Sequence, residues 1–270
     1  MADDFVNNIE VVWIDPQNSF HDLPDATLGV PGACANAANG IKLIQRMKDK
    51  IDDIHVTLDT HQQLAIFHPL YWVDKKGKHP APFTQITHEA VEKGEWKTFI
   101  PTFQPLALDY VTALQQHGRY ALVIWPYHCL LGTWGHNVYD KVGATLNEWE
   151  LTYRARVDYV VKGHNLHTEH YSAVQADVPN DDPTTQLNTR LIETLQRSRK
   201  VWVMGQASSH CVANTGRDIA DVFGADSVQQ LVFLEDCMSP VPGFEQLAVD
   251  FFADMKSRGA EVTTSKQLLS

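Results

Sequence analysis

The chain alternates between short apolar segments and longer segments with helical spacing, and this alternation limits the fold more than any other feature. The apolar segments are rich in β-branched and aromatic residues, as expected of strands buried on both faces of a parallel sheet. They cover residues 9–14, 53–58, 120–124, 158–161, 201–204 and 228–234, with 261–264 as a candidate edge strand. We therefore predict an α/β fold: a doubly wound, six-stranded, mainly parallel sheet with helices on both faces.

Helical segments separate the predicted strands. They cover residues 31–47, 106–117 with Gly118 as the terminating residue, 138–154, 185–198, a segment beginning at 211, and 244–256. Residues 62–105 break the alternation, because they are irregular, rich in proline and aromatic residues, and too long for an ordinary crossover. Long structured loops in compact domains are usually lids or binding loops. We expect one domain over residues 1–270, with a loop insertion at about 62–105 that covers the functional site.

Charge and composition argue against several classes of protein. The net charge is −11 without a basic run, which argues against nucleic acid or an anionic membrane as a partner. No apolar stretch approaches the length of a membrane span, and the acidic start, Met1-Ala2-Asp3-Asp4, does not resemble a signal peptide. Four cysteines (Cys34, Cys129, Cys211 and Cys237) form no CxxC pair. We therefore expect a cytoplasmic protein.

Polar side chains that can carry chemistry follow five of the predicted strands. In strand order they are Asp15, then Asp59 and His61, then His128, then Lys162, and last Cys211. In a doubly wound sheet, ligands bind outside the carboxyl ends of the strands. The sequence therefore predicts a functional site at this edge of the sheet.

Cys211 stands where a strand gives way to a helix. A lone cysteine is more often a small buried residue, but the amides and dipole at a helix N-terminus favour a thiolate and stabilise an oxyanion. Lys162 would keep Asp15 ionised and favour the thiolate, so that Asp15 accepts the thiol proton while Cys211 attacks an amide carbonyl. The backbone amides of Ala207 and Cys211 would form the oxyanion hole. Water would then hydrolyse the thioester.

Seven short motifs occur in order along nearly the whole chain. They are Asp15-Pro16-Gln17-Asn18-x-Phe20, Val30-Pro31-Gly32-Ala33, Asp59-x-His61, Trp125-Pro126-x-His128-Cys129, Lys162-Gly163, Tyr171-Ser172-Ala173 and Gly205-x-Ala207-x-x-x-Cys211-Val212. Together they closely resemble the isochorismatase-like cysteine hydrolases, and within this family the nicotinamidases.

This resemblance implies a catalytic triad and a metal site. The triad would be Asp15, Lys162 and Cys211, with a non-proline cis peptide near Gln206-Ala207. The metal site, expected to hold a divalent ion and most simply zinc, would take the substrate's pyridine nitrogen. Its ligands would be Asp59, His61 and His128, with His68 and His79 as alternative or supporting ligands. A second group of histidines (His164, His167 and His170) lies in a predicted loop, and we expect it at the surface or at a substrate gate.

Three departures from the nicotinamidase pattern leave the substrate open. Thr60 replaces a usual aromatic residue, and Ser208-Ser209-His210 precedes the cysteine. The insertion at 62–105 is also longer than in compact members of the family. The expected reaction is the release of ammonia from a small amide, nicotinamide first. The alternatives are a related cysteine amidase acting on a carbamoyl or aliphatic amide, and a thiol redox protein. Candidate pocket walls are Phe20, Trp72, Trp125 and Tyr171. The resemblance also implies a homo-oligomer.

Overall fold

The computed structural model describes residues 9–117, with the side chain of residue 117 excepted, and residues 120–270. The acidic start and the helix end predicted at Gly118 lie outside these ranges. The strands are β1 (Ile9–Ile14), β2 (Ile51–Asp59), β3 (Trp72–Asp74), β4 (Gln85–Ile86), β5 (Trp96–Thr98), β6 (Leu122–Val123), β7 (Asp158–Lys162), β8 (Lys200–Gly205), β9 (Leu231–Leu234) and β10 (Glu261–Thr263). The main sheet has six strands in the order β10-β9-β8-β1-β2-β7, and all neighbours in it are parallel.

Helices cover both faces of this sheet. The described helices are α1 (Ala33–Met47), α2 (His88–Glu92), α3 (Gln104–His117), α4 (Asp140–Tyr153), α5 (Thr189–Gln196), α6 (Cys211–Ser227), α7 (Glu245–Arg258) and α8 (Ser265–Leu268). Successive side chains of β1 point to opposite faces, so Val11 and Trp13 pack with α1 and α4, whereas Val12 and Ile14 belong to the core that includes α3, α5, α6 and α7. The predicted doubly wound α/β fold is confirmed. No described helix has both the length and the apolar character needed to cross a membrane.

The third predicted strand does not join the main sheet, and this part of the prediction was wrong. Residues 122–123 pair antiparallel with β4 instead, and β10 supplies the sixth strand. The reason lies in the insertion, whose backbone takes the hydrogen bonds of this segment. The amide of Ile124 donates to Thr84 at 2.9 Å, and that of Trp125 donates to Phe67 at 2.8 Å. The strand β7 is therefore an edge of the sheet, with Tyr159 and Val161 about half exposed.

The insertion is structured along its length. It contains β3, β4, α2 and β5, and β3 pairs with β5 in a small antiparallel sheet.

A smaller correction concerns the helix predicted over 185–198. Asp182 caps a separate 3-10 turn, Pro183–Thr185, and α5 begins later, where Asn188 accepts a hydrogen bond from the amide of Leu191.

A buried histidine joins β1, β2 and β7 at some distance from the carboxyl ends of these strands. His55 contacts Glu10 through Nε2 at 3.0 Å and Asp158 through Nδ1 at 3.0 Å. Burial lowers the pKa of His55, but the two carboxylates outweigh burial and the pKa is raised above its usual value. The imidazole therefore binds a proton more tightly in the folded chain than in the unfolded chain.

This linkage predicts that His55 stabilises the fold most under mildly acidic conditions. A raised pKa contributes stability that is complete below the unfolded value and declines as pH rises through the folded value. We expect His55→Gln to reduce the free energy of unfolding by about 3 kcal/mol at about pH 6, and by less at about pH 9, in urea denaturation. The exposed His164→Gln serves as the control. An equal loss at both pH values would contradict a charged His55.

Candidate active site

Asp15 follows β1 directly and has a left-handed backbone conformation with φ 46°. Aspartate is one of the few non-glycine residues enriched in that conformation. The neighbouring strand fixes its carboxylate. The hydroxyl of Thr57 accepts a hydrogen bond from the Asp15 amide at 3.0 Å and donates to Asp15 Oδ1 at 2.5 Å. The second oxygen, Oδ2, lies 3.0 Å from the Nζ atom of Lys162.

Lys162 is the last residue of β7, and its side chain reaches across the end of β2 towards β1. Its Nζ atom lies 2.8 Å from Asp59 Oδ1 and 3.6 Å from Cys211 Sγ, and it donates to the carbonyl of His170 at 3.1 Å. The cysteine sulfur is within 4.8 Å of a carboxylate oxygen of Asp15. The structure therefore brings the three predicted triad residues together in one buried cluster.

The segment between β8 and α6 delivers Cys211. At Gly205, φ is 124° and a Cβ atom would lie 2.0 Å from the carbonyl oxygen of Ile14, so only glycine fits this position. The peptide bond between Gln206 and Ala207 is cis, as the resemblance implied. Cys211 then opens α6. Within the described residues, the amides of Ala207 and Cys211 donate to no acceptor, so both are free to bind a ligand oxygen.

Burial and charge set the protonation of this cluster. Burial lowers the pKa of Lys162, but Asp15 and Asp59 hold it well above its usual range. Burial raises the pKa of Asp59, but the charges of His61 and Lys162 hold it well below its usual range. Burial raises the pKa of Asp15, and Lys162 offsets this only in part. Burial also raises the pKa of Cys211 well above that of a free thiol, despite Lys162. A raised pKa favours the thiol form of Cys211, so attack on a substrate requires a base that accepts the thiol proton.

Asp59, His61 and His128 form a second group beside the cluster, with ligand atoms within 4.8 Å of one another. The Nε2 atoms of His61 and His128 lie 2.9 and 3.5 Å from Asp59 Oδ2. Each Nδ1 atom faces a backbone carbonyl, that of Gly163 at 3.0 Å for His61 and that of Pro126 at 2.8 Å for His128. In the neutral form of each ring, a proton on Nδ1 would leave Nε2 with a lone pair for a metal ion, as in metal-binding histidines. The three residues therefore fit a divalent metal ion.

His68, in the insertion, stands next to this group. Its ring centroid is 5.6 Å from that of His61 and 5.6 Å from that of His128. Its Nδ1 atom faces the carbonyl of Gln62 at 2.9 Å, and its buried Nε2 has no hydrogen-bond partner in the described part of the chain. Burial lowers the pKa of His68 to about 2, so the ring is neutral. His79 instead contacts backbone carbonyls within the insertion.

Gln17 holds the backbone of Asp59 with both ends of its amide group. Its Oε1 atom accepts from the Asp59 amide at 2.7 Å, and its Nε2 atom donates to the Asp59 carbonyl at 2.7 Å. The same Nε2 donates to the carbonyl of His136 at 2.9 Å. Sequence reasoning placed Gln17 in a motif without giving it a role. The structure shows that Gln17 fixes the residue shared by the triad cluster and the candidate metal site.

A small cavity borders Cys211. Of the predicted pocket walls, Phe20, Trp125 and Tyr171 line the cavity. The prediction for Trp72 was wrong, because its ring is fully buried in the core and its indole donates to a backbone carbonyl at 2.6 Å. The presence of an aromatic residue alone does not separate a cavity wall from a core position.

Two ionisable residues that the sequence analysis missed also line the cavity, Glu169 and His210. Their positions carried a usable signal. Glu169 lies in the loop that follows Lys162, and His210 directly precedes Cys211.

The histidines of the loop after Lys162 differ in burial. His164 is exposed and His167 is half-buried, but His170 is buried, against the expectation of a surface or gate position.

Comparison with known proteins defines the class of fold. No protein-family model and no curated protein matches the sequence. The solved structure of the yeast nicotinamidase matches with a TM-score of 0.66 at 21% identity, covering 94% of this chain and 99% of that chain. A nicotinamidase/pyrazinamidase from Acinetobacter baumanii matches with a TM-score of 0.62 at 23% identity, covering 97% and 98%.

A third match comes from a pyrazinamidase of Pyrococcus horikoshii solved in complex with zinc. Its TM-score is 0.54 at 16% identity, covering 95% of this chain and 99% of that chain. The chain therefore has the α/β fold that these nicotinamidases and pyrazinamidases share. The fold implied by the sequence motifs is confirmed.

The donor arrangement predicts how metal binding depends on single histidines. We expect His61→Ala and His128→Ala each to weaken zinc binding by about 100-fold or more, because each removes a buried Nε2 ligand. Metal content after dialysis, measured by inductively coupled plasma mass spectrometry, is the readout. His79→Ala is the matched control and should retain metal like the unmodified chain. Full metal retention by both the His61 and the His128 variants would contradict this assignment.

Proposed function

We propose that the protein is an amidohydrolase that releases ammonia from a small amide, with nicotinamide as the substrate and nicotinate as the product. The contact of Lys162 with Asp15, Asp59 and Cys211 carries this proposal. A cysteine, a carboxylate and a candidate metal ligand thus contact one ammonium group beside the cavity. The fold likeness to nicotinamidases supports the same reaction.

In the proposed first step, the Cys211 sulfur attacks the carbonyl carbon of the amide. Because burial raises the pKa of Cys211 and so favours the thiol form, its proton must leave during attack, and Asp15 accepts it. The charge that develops on the carbonyl oxygen is stabilised by the free amides of Ala207 and Cys211. Lys162 keeps a positive charge beside both the sulfur and the carboxylate throughout.

The second step breaks the carbon–nitrogen bond. Protonated Asp15 gives its proton to the amide nitrogen, and ammonia leaves while the acyl group remains on Cys211 as a thioester. Asp15 then removes a proton from water, which attacks the thioester carbonyl. The acid is released, and the sulfur regains its proton. The net reaction consumes one amide and one water, and yields one carboxylic acid and one ammonia.

Substrate orientation depends on the candidate metal site and on the aromatic walls of the cavity. A zinc ion held by Asp59, His61 and His128 would supply a coordination position for a pyridine nitrogen. The zinc complex of the structurally similar pyrazinamidase supports zinc as the metal. Phe20, Trp125 and Tyr171 provide aromatic surfaces suited to a flat heteroaromatic ring. These features favour nicotinamide over an aliphatic amide.

Ammonia release by the purified protein tests this proposal directly. We expect zinc-supplemented protein to release ammonia from nicotinamide, and Cys211→Ala to lower kcat by at least about 10⁴-fold while metal content is unchanged. Removal of metal with a chelator should weaken turnover, and zinc should restore it. Cys34→Ala, at a half-buried cysteine outside the cavity, is the matched control and should keep full activity.

Each possible result distinguishes the alternatives. Turnover that survives in Cys211→Ala would point to metal-bound water as the nucleophile and contradict the covalent mechanism. If nicotinamide is untouched while small carbamoyl or aliphatic amides are hydrolysed in a Cys211-dependent way, the mechanism stands and the substrate assignment falls.

A further inference from the structure

Glu169 is a buried carboxylic acid in the wall of the cavity and takes no part in the mechanism above. Its position is fixed by the surrounding backbone. Its amide donates to the hydroxyl of Tyr110 at 3.2 Å, and its carbonyl accepts from Asp177 at 2.9 Å. One carboxylate oxygen, Oε1, accepts from the amide of His170 at 2.9 Å. The carboxyl group is therefore held in place rather than free to turn away into solvent.

Carboxylates, but no lysine or arginine among the described residues, line the wall of this cavity. Asp59 and Glu169 both line it, whereas no lysine or arginine occurs among the described residues of its wall. The nearest ammonium, that of Lys162, already contacts Asp59 and Asp15. A divalent ion held at Asp59 would have its two positive charges balanced by the carboxylates of Asp59 and Glu169. An anionic ligand entering the cavity would therefore meet Glu169 without a free cation to pair with.

Amide hydrolysis makes this charge consequential, because a neutral amide enters and a carboxylate must leave. Like charges placed together in a water-poor site repel strongly. We propose that Glu169 is a specificity-determining residue that restricts the site to neutral amides and weakens retention of the acid product. This inference rests on the proposed function for its substrate class.

The test compares the affinities of product and substrate in the same protein. Burial raises the pKa of Glu169 to about 7, so binding is measured at about pH 8.5, where the carboxyl group is ionised. Nicotinate and nicotinamide are titrated calorimetrically into zinc-loaded Cys211→Ala protein, with and without Glu169→Gln. The substitution keeps the shape of the side chain and removes its charge.

We expect Glu169→Gln to tighten nicotinate binding by about tenfold and to change nicotinamide binding by less than about threefold. Glu169→Asp, which keeps the charge, should retain weak nicotinate binding, and the exposed Glu148→Gln should change neither affinity. Because the ratio is taken within one variant, a change in metal occupancy, measured alongside, does not imitate the result. A nicotinate-to-nicotinamide affinity ratio that is the same with and without Glu169→Gln would overturn the proposal.

A kinetic arm keeps this inference separate from the proposed function. In Glu169→Gln with Cys211 intact, product inhibition by nicotinate should strengthen by about tenfold relative to the KM for nicotinamide. Parallel losses in kcat and KM without a change in product inhibition would show a structural role and contradict the inference. If the parent protein does not hydrolyse nicotinamide, the proposed function fails, whereas the binding ratio above still decides the role of Glu169.

Discussion

The buried ammonium group of Lys162, lying 3.0 Å from Asp15 and 2.8 Å from Asp59, is the interaction on which the rest of the site depends. Removing an ammonium or a carboxylate from water costs several kcal/mol, and the cost is recovered only when the charges are well paired. Lys162 is therefore stabilised by both carboxylates, and each carboxylate requires Lys162. Two carboxylates share one lysine, and this sharing links the proposed proton acceptor of Cys211 to the candidate metal site.

The pairing of Lys162 with two carboxylates requires three strand ends to lie side by side, and a parallel sheet provides this. Asp15, Asp59 and Lys162 end or follow β1, β2 and β7, which are neighbours in the sheet. Parallel pairing brings the carboxyl ends of all three strands to one edge, and the long lysine side chain spans the strand between. On the other side of β1, β8 brings the chain back to the same edge and leads to Cys211 at the start of α6. Hydrogen bonds from Thr57 and Gln17 then fix the two carboxylate residues.

Much of this arrangement is readable from the sequence, because it depends on local patterns. The strand predicted at 9–14 matches β1, and Cys211 begins a helix as its position after an apolar run indicated. The grouping of Asp15, Lys162 and Cys211 was indicated by their places after predicted strands and by the resemblance of the motifs to a known family. By contrast, the partner of β6 was mispredicted because a short apolar segment does not encode which backbone will pair with it. The insertion supplies that partner through a contact between distant parts of the chain.

The residues missed at the site share a different cause. Trp72 was expected in the cavity and lies in the core, whereas Glu169 was overlooked and lines the cavity. Both depend on how loops fold over the sheet edge, and loop composition does not specify this. Burial also raises the pKa of the Cys211 thiol, and neither its place at a helix terminus nor the nearby lysine indicates this. How deeply a residue between loops is buried depends on packing between distant parts of the chain, which the local sequence does not specify.

The central claim, that Cys211 carries the acyl group, is tested most directly by trapping the intermediate. Zinc-loaded protein is mixed with nicotinamide, quenched in acid within the first turnovers, and examined by intact-protein mass spectrometry followed by peptide mapping. The account predicts a population heavier by one nicotinoyl group, located on Cys211 and removed by hydroxylamine, as expected of a thioester. Ammonia release with no adduct on Cys211 at any quench time, including under conditions that slow hydrolysis of the thioester, would contradict it.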